Sequence, residues 1–161
     1  MYANPAQTES AIAWWLTSFS PHPAVAHEAW QDGRPAMLRT GGPYDAVRMP
    51  LALVRAAAES SAPDVVAGVL AEVLDGPVVC HPGAWYYALV PAGTCETWRA
   101  AEAVVRGRGG WLGIPRPDRT EPTPVTPYWA VPVVRVGQLC APDAVAELLR
   151  VGRARLEGAA R

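Results

Sequence analysis

The residues best suited to chemistry are arginines that stand among glycines in the second half of the chain. One segment reads Arg106-Gly107-Arg108-Gly109-Gly110, and Arg116 follows on a proline-rich stretch. Guanidinium groups and open backbone amides are donors that proteins use to hold phosphates and carboxylates. Residues 99 to 119 have a net charge of +3, in a chain whose net charge is −1. The pattern indicates an anion-binding rim, although a hairpin turn with arginines for solubility would have the same composition.

The common catalytic constellations do not occur in the sequence. There is no Gly-x-Ser-x-Gly motif, and the absence of lysine excludes P-loop, Schiff-base and lysine-base chemistry. The three histidines lack metal-ligand spacing. Cys80 and His81 are adjacent, so in a strand they would point to opposite faces. We therefore expect no catalytic residues, no metal and no cofactor, and the sequence leans away from an enzyme.

Acid–base or two-metal catalysis needs two or three carboxylates on neighbouring strands, and the sequence offers one. Asp45 is the only acid inside a predicted strand; the others fall on predicted helices or loops. Arg39 and Arg48 are close enough in sequence to pair with it. We expect Asp45 to be a salt-bridged strand residue.

The first 33 residues show helical spacing that a proline interrupts. Ala11, Trp14, Trp15 and Phe19 recur on one face of a helix that Thr8 would cap. Pro23 is well placed as the first residue of a second helix, which ends before Gly33. The pattern predicts a helical hairpin over residues 1 to 33.

Residues 34 to 135 have the spacing of short strands separated by glycine and proline turns. The predicted strands are 36–40, 44–49, 77–80, 85–90, 104–106, 111–114 and 128–131, of which the first six are joined in pairs as hairpins. The predicted helices are 51–59, one that starts within 61–64 and ends at 75–76, 94–103, and a closing helix at 142–157. We predict one α+β domain over residues 1 to 161, with a mostly antiparallel central sheet flanked by helices.

Composition favours a cytoplasmic protein with one core. The chain has 161 residues, of which half are hydrophobic. Its three cysteines form no disulfide or zinc pattern. The start of the chain lacks a basic leader region, and the apolar stretch near residues 11 to 16 is too short to cross a membrane. We expect no membrane association.

Seven tryptophans suggest a second kind of function. Most should anchor the core, but Trp14 and Trp15 are neighbours on one helix and cannot both point inward. An exposed tryptophan there would suit a protein partner or a homodimer interface. This leaves open a regulatory protein–protein interaction module with no small ligand.

Two segments resemble archaeo-eukaryotic primase/polymerase (prim-pol) domains. Residues 106–117 followed by 127–132 are similar to that family's late glycine-rich strand pair and the aromatic strand after it. Residues 83–89 resemble an upstream strand of the family. The resemblance spans roughly residues 77 to 132, a third of the chain. It implies a cleft for a nucleotide or a nucleic-acid strand end.

The departures from the prim-pol pattern imply a domain without polymerase activity. Tyr86 stands where the family has a phosphate-contacting histidine, and Asp45 is the one acid in place of a metal-binding pair. The resemblance makes Arg106, Arg108 and Arg116 the phosphate contacts, with Tyr86 and Asp45 beside the ligand. It therefore predicts a non-catalytic module that binds a nucleotide or single-stranded nucleic acid.

Overall fold

Helices form both ends of the chain and strands lie between them in the computed structural model, which describes residues 4–161. The helices are α1 Pro5–Leu16, α2 Pro23–Gln31, α3 Leu51–Ala58, α4 Pro63–Leu74, α5 Thr94–Thr97 and α6 Pro142–Ala159. The strands are β1 Ala36–Arg39, β2 Asp45–Pro50, β3 Val78–His81, β4 Trp85–Val90, β5 Val104–Arg106, β6 Trp111–Ile114 and β7 Tyr128–Val131. The predicted α+β class is confirmed. Residues 1–3 lie outside the described residues. They belong to the predicted hairpin over residues 1 to 33 and to the segment that we expect to lack a basic leader region.

Proline begins several helices, because the first helical residue needs no backbone N–H. Pro23 starts α2 as predicted. The predicted start of α1 at Thr8 is wrong, since Pro5 is the first helical residue and the Asn4 side chain accepts a hydrogen bond from the Ala6 N–H at 3.1 Å. The N-cap of α1 is therefore Asn4 and not Thr8.

The central sheet is antiparallel throughout, with strand order β5-β2-β4-β3-β7. β3 and β4 form the predicted hairpin, whose turn contains Gly83. α3, α4 and α6 cover one face of the sheet, and α1 and α2 lie on the other side. Tyr86 and Tyr87 are neighbours on β4 and point to opposite faces of the sheet, and both are buried because both faces are covered.

Two predicted hairpins are wrong, because β1 and β6 leave the central sheet and pair with each other. Their register places Arg39 opposite Trp111, while β2 and β5 pair within the central sheet. The loop between β1 and β2 and the loop between β5 and β6 each pass from one sheet to the other, and the two loops are in contact. A Cβ on Gly41 would lie 2.5 Å from the Arg108 backbone. Position 41 requires glycine because its φ is 87° and because a side chain would clash with the neighbouring backbone.

The predicted helix over residues 94 to 103 is also too long. α5 ends at Thr97, because Trp98 adopts an extended backbone. The Trp98 indole N–H donates instead to the carbonyls of Ala100 and Ala103. This side chain fastens an irregular segment that leads into β5.

The pair β1–β6, which we call the small sheet, carries the surface features that matter for function. Its inner face buries Leu38, Leu112 and Ile114 against α1 and α2. Its outer face presents Met37, Arg39 and Trp111, all exposed. The period-two alternation of strands therefore sorts apolar anchors from available side chains.

Candidate functional site

An open depression of about 500 Å³ lies at the end of the small sheet where β1 ends and β6 begins. We call it the arginine depression. Its walls are Phe19, Arg39, Thr40, Gly41, Gly42, Arg108, Gly109 and Trp111. Two guanidinium groups and two large aromatic rings thus share one concave surface.

Strand pairing sets the position of Arg39 relative to Trp111. The two residues are opposite each other in the β1–β6 register and share the outer face. The Arg39 Cζ lies 5.0 Å from the centroid of the Trp111 ring, within cation–π range. Each is flanked by a buried leucine, Leu38 or Leu112, which anchors its strand.

Phe19 forms the opposite wall and is 62% exposed. It follows the last turn of α1 and its ring packs directly over Gly42. A Cβ at Gly42 would approach the Phe19 ring to 2.4 Å, so this glycine makes room for the aromatic side chain.

The loop that carries Arg108 is held by short polar contacts. The Thr40 hydroxyl donates to the Gly107 carbonyl at 2.6 Å, and the Gly110 N–H donates to the same carbonyl at 3.0 Å. The Thr40 N–H donates to the Gly110 carbonyl at 3.0 Å. These bonds fix the loop that places Arg108 at the rim.

The charge of the arginine depression is uncompensated. No acidic side chain lines it. Within residues 4–161, neither Arg39 nor Arg108 has a carboxylate oxygen within 4.0 Å. Unpaired guanidinium groups beside aromatic faces favour an anion that also has a flat or apolar part.

Arg106 lies beside the arginine depression but does not line it. Its side chain is half-buried and donates to the Trp111 carbonyl at 2.8 Å, with its Cζ 5.2 Å from the Tyr87 ring centroid. It ties β5 to the edge of β6. This hydrogen bond links Arg106 to the Trp111 backbone, and the expected contact of Arg106 with a ligand stays a prediction.

Arg116 lies at the other end of β6, so the three predicted arginines do not converge. It makes two hydrogen bonds to Asp118, at 2.5 and 2.9 Å. The hydrogen bonds and charge of Asp118 raise the pKa of Arg116. Four strand residues, each rising about 3.3 Å, separate this pair from Arg108. The sequence could not show that one arginine was already neutralised.

The expected salt bridge of Asp45 is wrong, because Asp45 is buried and forms no ion pair with an arginine in residues 4–161. Its Oδ2 accepts hydrogen bonds from the Gly93 N–H at 3.1 Å and the Cys95 N–H at 3.0 Å. Burial and the hydrogen bond to Asp45 also raise the pKa of the Cys95 thiol. Asp45 therefore fastens the turn after β4 and does not face the depression.

Tyr86 is buried on the helix-covered face of the central sheet, away from the small sheet. Cys80 and Tyr128 are its polar neighbours, and burial raises the pKa of Tyr86 to about 12. Its hydroxyl therefore stays protonated in the core. Asp45 lies behind the glycine loop, with its Oδ2 3.4 Å from where a Gly107 Cβ would be, and neither Tyr86 nor Asp45 lines the arginine depression.

Three residues of the arginine depression were missed as site residues: Phe19, Arg39 and Trp111. Arg39 falls in a predicted strand, but the apolar residues Met37 and Leu38 before it do not alternate with polar ones, so the local sequence does not indicate which face it occupies. Its meeting with Trp111 depends on pairing between distant segments, for which the local sequence has no signal.

Comparisons with protein-family models, with curated proteins and with solved structures found no match. The resemblance to prim-pol domains therefore stays a prediction. No helix within residues 4–161 is long and apolar enough to cross a membrane. In the same residues, no three His, Cys, Asp or Glu side chains are grouped so that they could share a metal ion.

Proposed function

We propose that the arginine depression binds a nucleotide or single-stranded nucleic acid without catalysing a reaction on it. The observation that carries this proposal is the meeting of two unpaired arginines, Arg39 and Arg108, with the exposed rings of Phe19 and Trp111. Guanidinium groups would hold phosphate oxygens, and the rings would stack on bases.

Size and charge favour a small or single-stranded ligand. The volume of about 500 Å³ falls in the range of small-molecule sites. Duplex binding relies on many phosphate contacts, whereas this chain has a net charge of −1 and two free arginines at the site. We propose that binding needs no Mg²⁺, because no carboxylate lines the depression.

We also propose that the chain is a prim-pol-type domain that lost its metal-binding acids and acts in the cytoplasm. The glycine-rich segment that carries the resemblance contributes Arg108 and Trp111 to the depression. Under this proposal the phosphate contacts are Arg39 and Arg108. Arg106 supports them through Trp111, and Arg116 has no part.

Fluorescence anisotropy with a labelled oligothymidylate of about ten nucleotides tests the proposal. The double variant Arg39→Ala/Arg108→Ala should lose roughly tenfold or more in affinity, as expected when two charged hydrogen bonds are removed. Arg135→Ala is the matched control, since Arg135 is exposed, lies outside the depression and has no ion pair within residues 4–161.

Salt dependence separates specific contacts from general attraction. Two phosphate contacts to a single strand should give a slope of about −1.4 in log K against log salt, and the double variant should be nearly flat. Trp111→Ala should weaken binding by about 1–3 kcal/mol without changing the slope. Equal losses in Arg135→Ala, or no binding by the unmodified protein, would refute the proposal.

A protein-interaction function is the second candidate, because Trp14 is 70% exposed on α1, while Trp15 is partly buried and packs edge-on to Tyr44. This agrees with the prediction that one of the two tryptophans lies at the surface. If two copies associate through an interface on α1, Trp14→Ala should abolish the concentration-dependent association measured by analytical ultracentrifugation.

A further inference from the structure

β1 has one paired edge and one open edge. The Thr40 N–H donates to Gly110 across the small sheet. The N–H and C=O groups of successive residues point to opposite edges of a strand. The backbone groups of Leu38 therefore also point toward β6, whereas those of Met37 and Arg39 point away from it. Within residues 4–161, no hydrogen bond reaches the backbone of Met37 or Arg39 from that side.

The far edge of the small sheet is closed by side chains. On β6, the Gly113 carbonyl is hydrogen-bonded to the His81 Nε2 at 3.0 Å, and the Trp111 carbonyl accepts from Arg106 at 2.8 Å. Proteins usually cover or interrupt strand edges, because unpaired backbone groups recruit other strands. The contrast makes the β1 edge the available one.

An apolar groove of about 320 Å³ runs between α2 and β1 beside this edge. We call it the edge groove. Val25, Ala26 and Ala29 of α2 form one wall, and Met37 and Trp111 form the other. Val25 and Met37 are 63% and 60% exposed, so the groove presents apolar surface next to free backbone donors and acceptors.

The unpaired charge beside the edge groove is positive. Arg39 carries it on the neighbouring outer face, and among the described residues no acidic side chain lines the groove. Arg34 also lines the groove but is ion-paired with the exposed Asp32, at 3.1 Å. A ligand with carboxylates beside its apolar side chains would complement this surface.

We propose that the edge groove binds an extended acidic peptide of another protein, which adds to β1 as a third antiparallel or parallel strand. Backbone hydrogen bonds to Met37 and Arg39 would hold the peptide chain, and alternate apolar side chains would enter the groove beside Val25. The peptide's acidic side chains would face Arg39 and Arg34.

A second copy of this chain fits the edge less well than an acidic peptide. Two β1 strands paired edge to edge would place both Arg39 side chains on the same face of one sheet. Like charges at neighbouring cross-strand positions are destabilising. The edge groove shares Trp111 with the arginine depression, and Arg39 is also a proposed phosphate contact. Met37 lines only the first surface and Arg108 only the second, so variants at these two residues distinguish peptide binding from nucleotide binding.

Hydrogen exchange on the free protein tests the open edge. The amides of Met37 and Arg39 should exchange faster than those of Leu38 and Thr40, which face β6. Equal protection of all four amides would mean that the β1 edge is covered, and would overturn the proposal.

Peptide binding is measured with labelled synthetic peptides of about eight residues, in which Val, Leu or Phe alternates with Glu or Asp. At least one should bind and shift the amide resonances of Met37 and Arg39. N-methylation of its backbone at alternate residues should lower affinity roughly tenfold, because β-strand addition depends on those N–H groups. Absence of binding, or equal binding after N-methylation at either set of alternate residues, would overturn the proposal.

A matched pair of variants locates the contact on the protein. Met37→Pro removes only an outward N–H from an edge strand, whereas Met37→Val keeps it. Peptide affinity should fall roughly tenfold in the proline variant and change about twofold or less in the valine variant. Oligothymidylate binding should be unchanged in both, while Arg108→Ala should leave peptide binding intact. Self-association that Met37→Pro abolishes would instead identify a second copy as the occupant and refute the peptide.

Discussion

The two ends of β6 carry the same residue type in opposite electrostatic states. At the end where β6 begins, Arg108 lines the arginine depression and, within the described chain, has no carboxylate oxygen within 4.0 Å of its guanidinium. At the end where β6 stops, Arg116 makes two hydrogen bonds to Asp118. Glycines surround the first arginine, and prolines surround the second.

The difference shows that a local count of arginines does not locate an anion site. The +3 charge of residues 99 to 119 covers both ends of β6. The arginines meet large aromatic rings at the glycine end, whereas at the proline end Arg116 is held by Asp118 in a small cavity that it shares with Arg119. Tertiary pairing adds Arg39, from a distant strand, to the glycine end. We therefore expect changes at the two ends to have unequal effects.

The largest expected effect is on the fold of the glycine end. Gly41→Ala should lower the free energy of unfolding by about 3 kcal/mol or more, through left-handed strain and overpacking. Its φ is 87° and its new Cβ would lie 2.5 Å from the Arg108 backbone. Gly109→Ala is the control, since its φ is 86° but no atom lies within 4 Å of the new Cβ, and it should cost about 1 kcal/mol. Urea unfolding measures both, and equal losses would contradict the close approach.

The next effect concerns the buried anchor behind the glycine loop. Asp45→Ala should destabilise the protein by about 2–3 kcal/mol, because the Gly93 and Cys95 amides lose their acceptor. Asp45→Asn keeps an acceptor of the same shape and should cost less. Thermal unfolding compares the two variants. If Asn and Ala were equally destabilising, the hydrogen bonds would not be the reason for this residue.

The binding difference between the two ends is smaller in energy. Arg108→Ala should weaken oligothymidylate binding by about 1 kcal/mol, roughly fivefold, whereas Arg116→Ala should change it less than twofold. Asp118→Asn, which frees Arg116, should strengthen binding slightly if the ligand reaches that end. Anisotropy titrations at low salt measure the oligothymidylate affinity of each variant. Larger losses from Arg116→Ala would place the site at the proline end.

The smallest effect is a pH dependence at the closed edge of the small sheet. Burial lowers the pKa of His81, which is hydrogen-bonded to the Gly113 carbonyl. Because the unfolded chain binds a proton more readily, the contribution of His81 is complete above its ordinary pKa of about 6.5. It is lost as the pH falls from there through the lower pKa of the folded state. His81→Asn should show a shallower loss of stability on acidification in urea unfolding, and an unchanged slope would contradict this.

Much of the fold followed from local patterns, whereas the site did not. Pro23 and the apolar spacing of the first residues predicted two helices, and the turn at Gly83 predicted the hairpin of β3 and β4. The prediction went wrong where Gly41 and the Gly107–Gly110 loop change layers. A glycine turn has the same local signature whether the next strand pairs with the previous one or with a distant partner.

The sequence by itself determined the class of the protein, because helix and strand periodicity, prolines at helix starts and the alternation of buried residues are local properties. It also showed that arginine is the residue type available to hold an anion, because the chain has no lysine. Only the tertiary structure decided that Arg39 joins Arg108 and Trp111, that Asp118 neutralises Arg116, and that Asp45 and Tyr86 are buried. Those outcomes depend on which distant segments share a surface and on how completely water is excluded. The pairing of distant strands and the burial of these side chains arise only when the sheets and helices pack together.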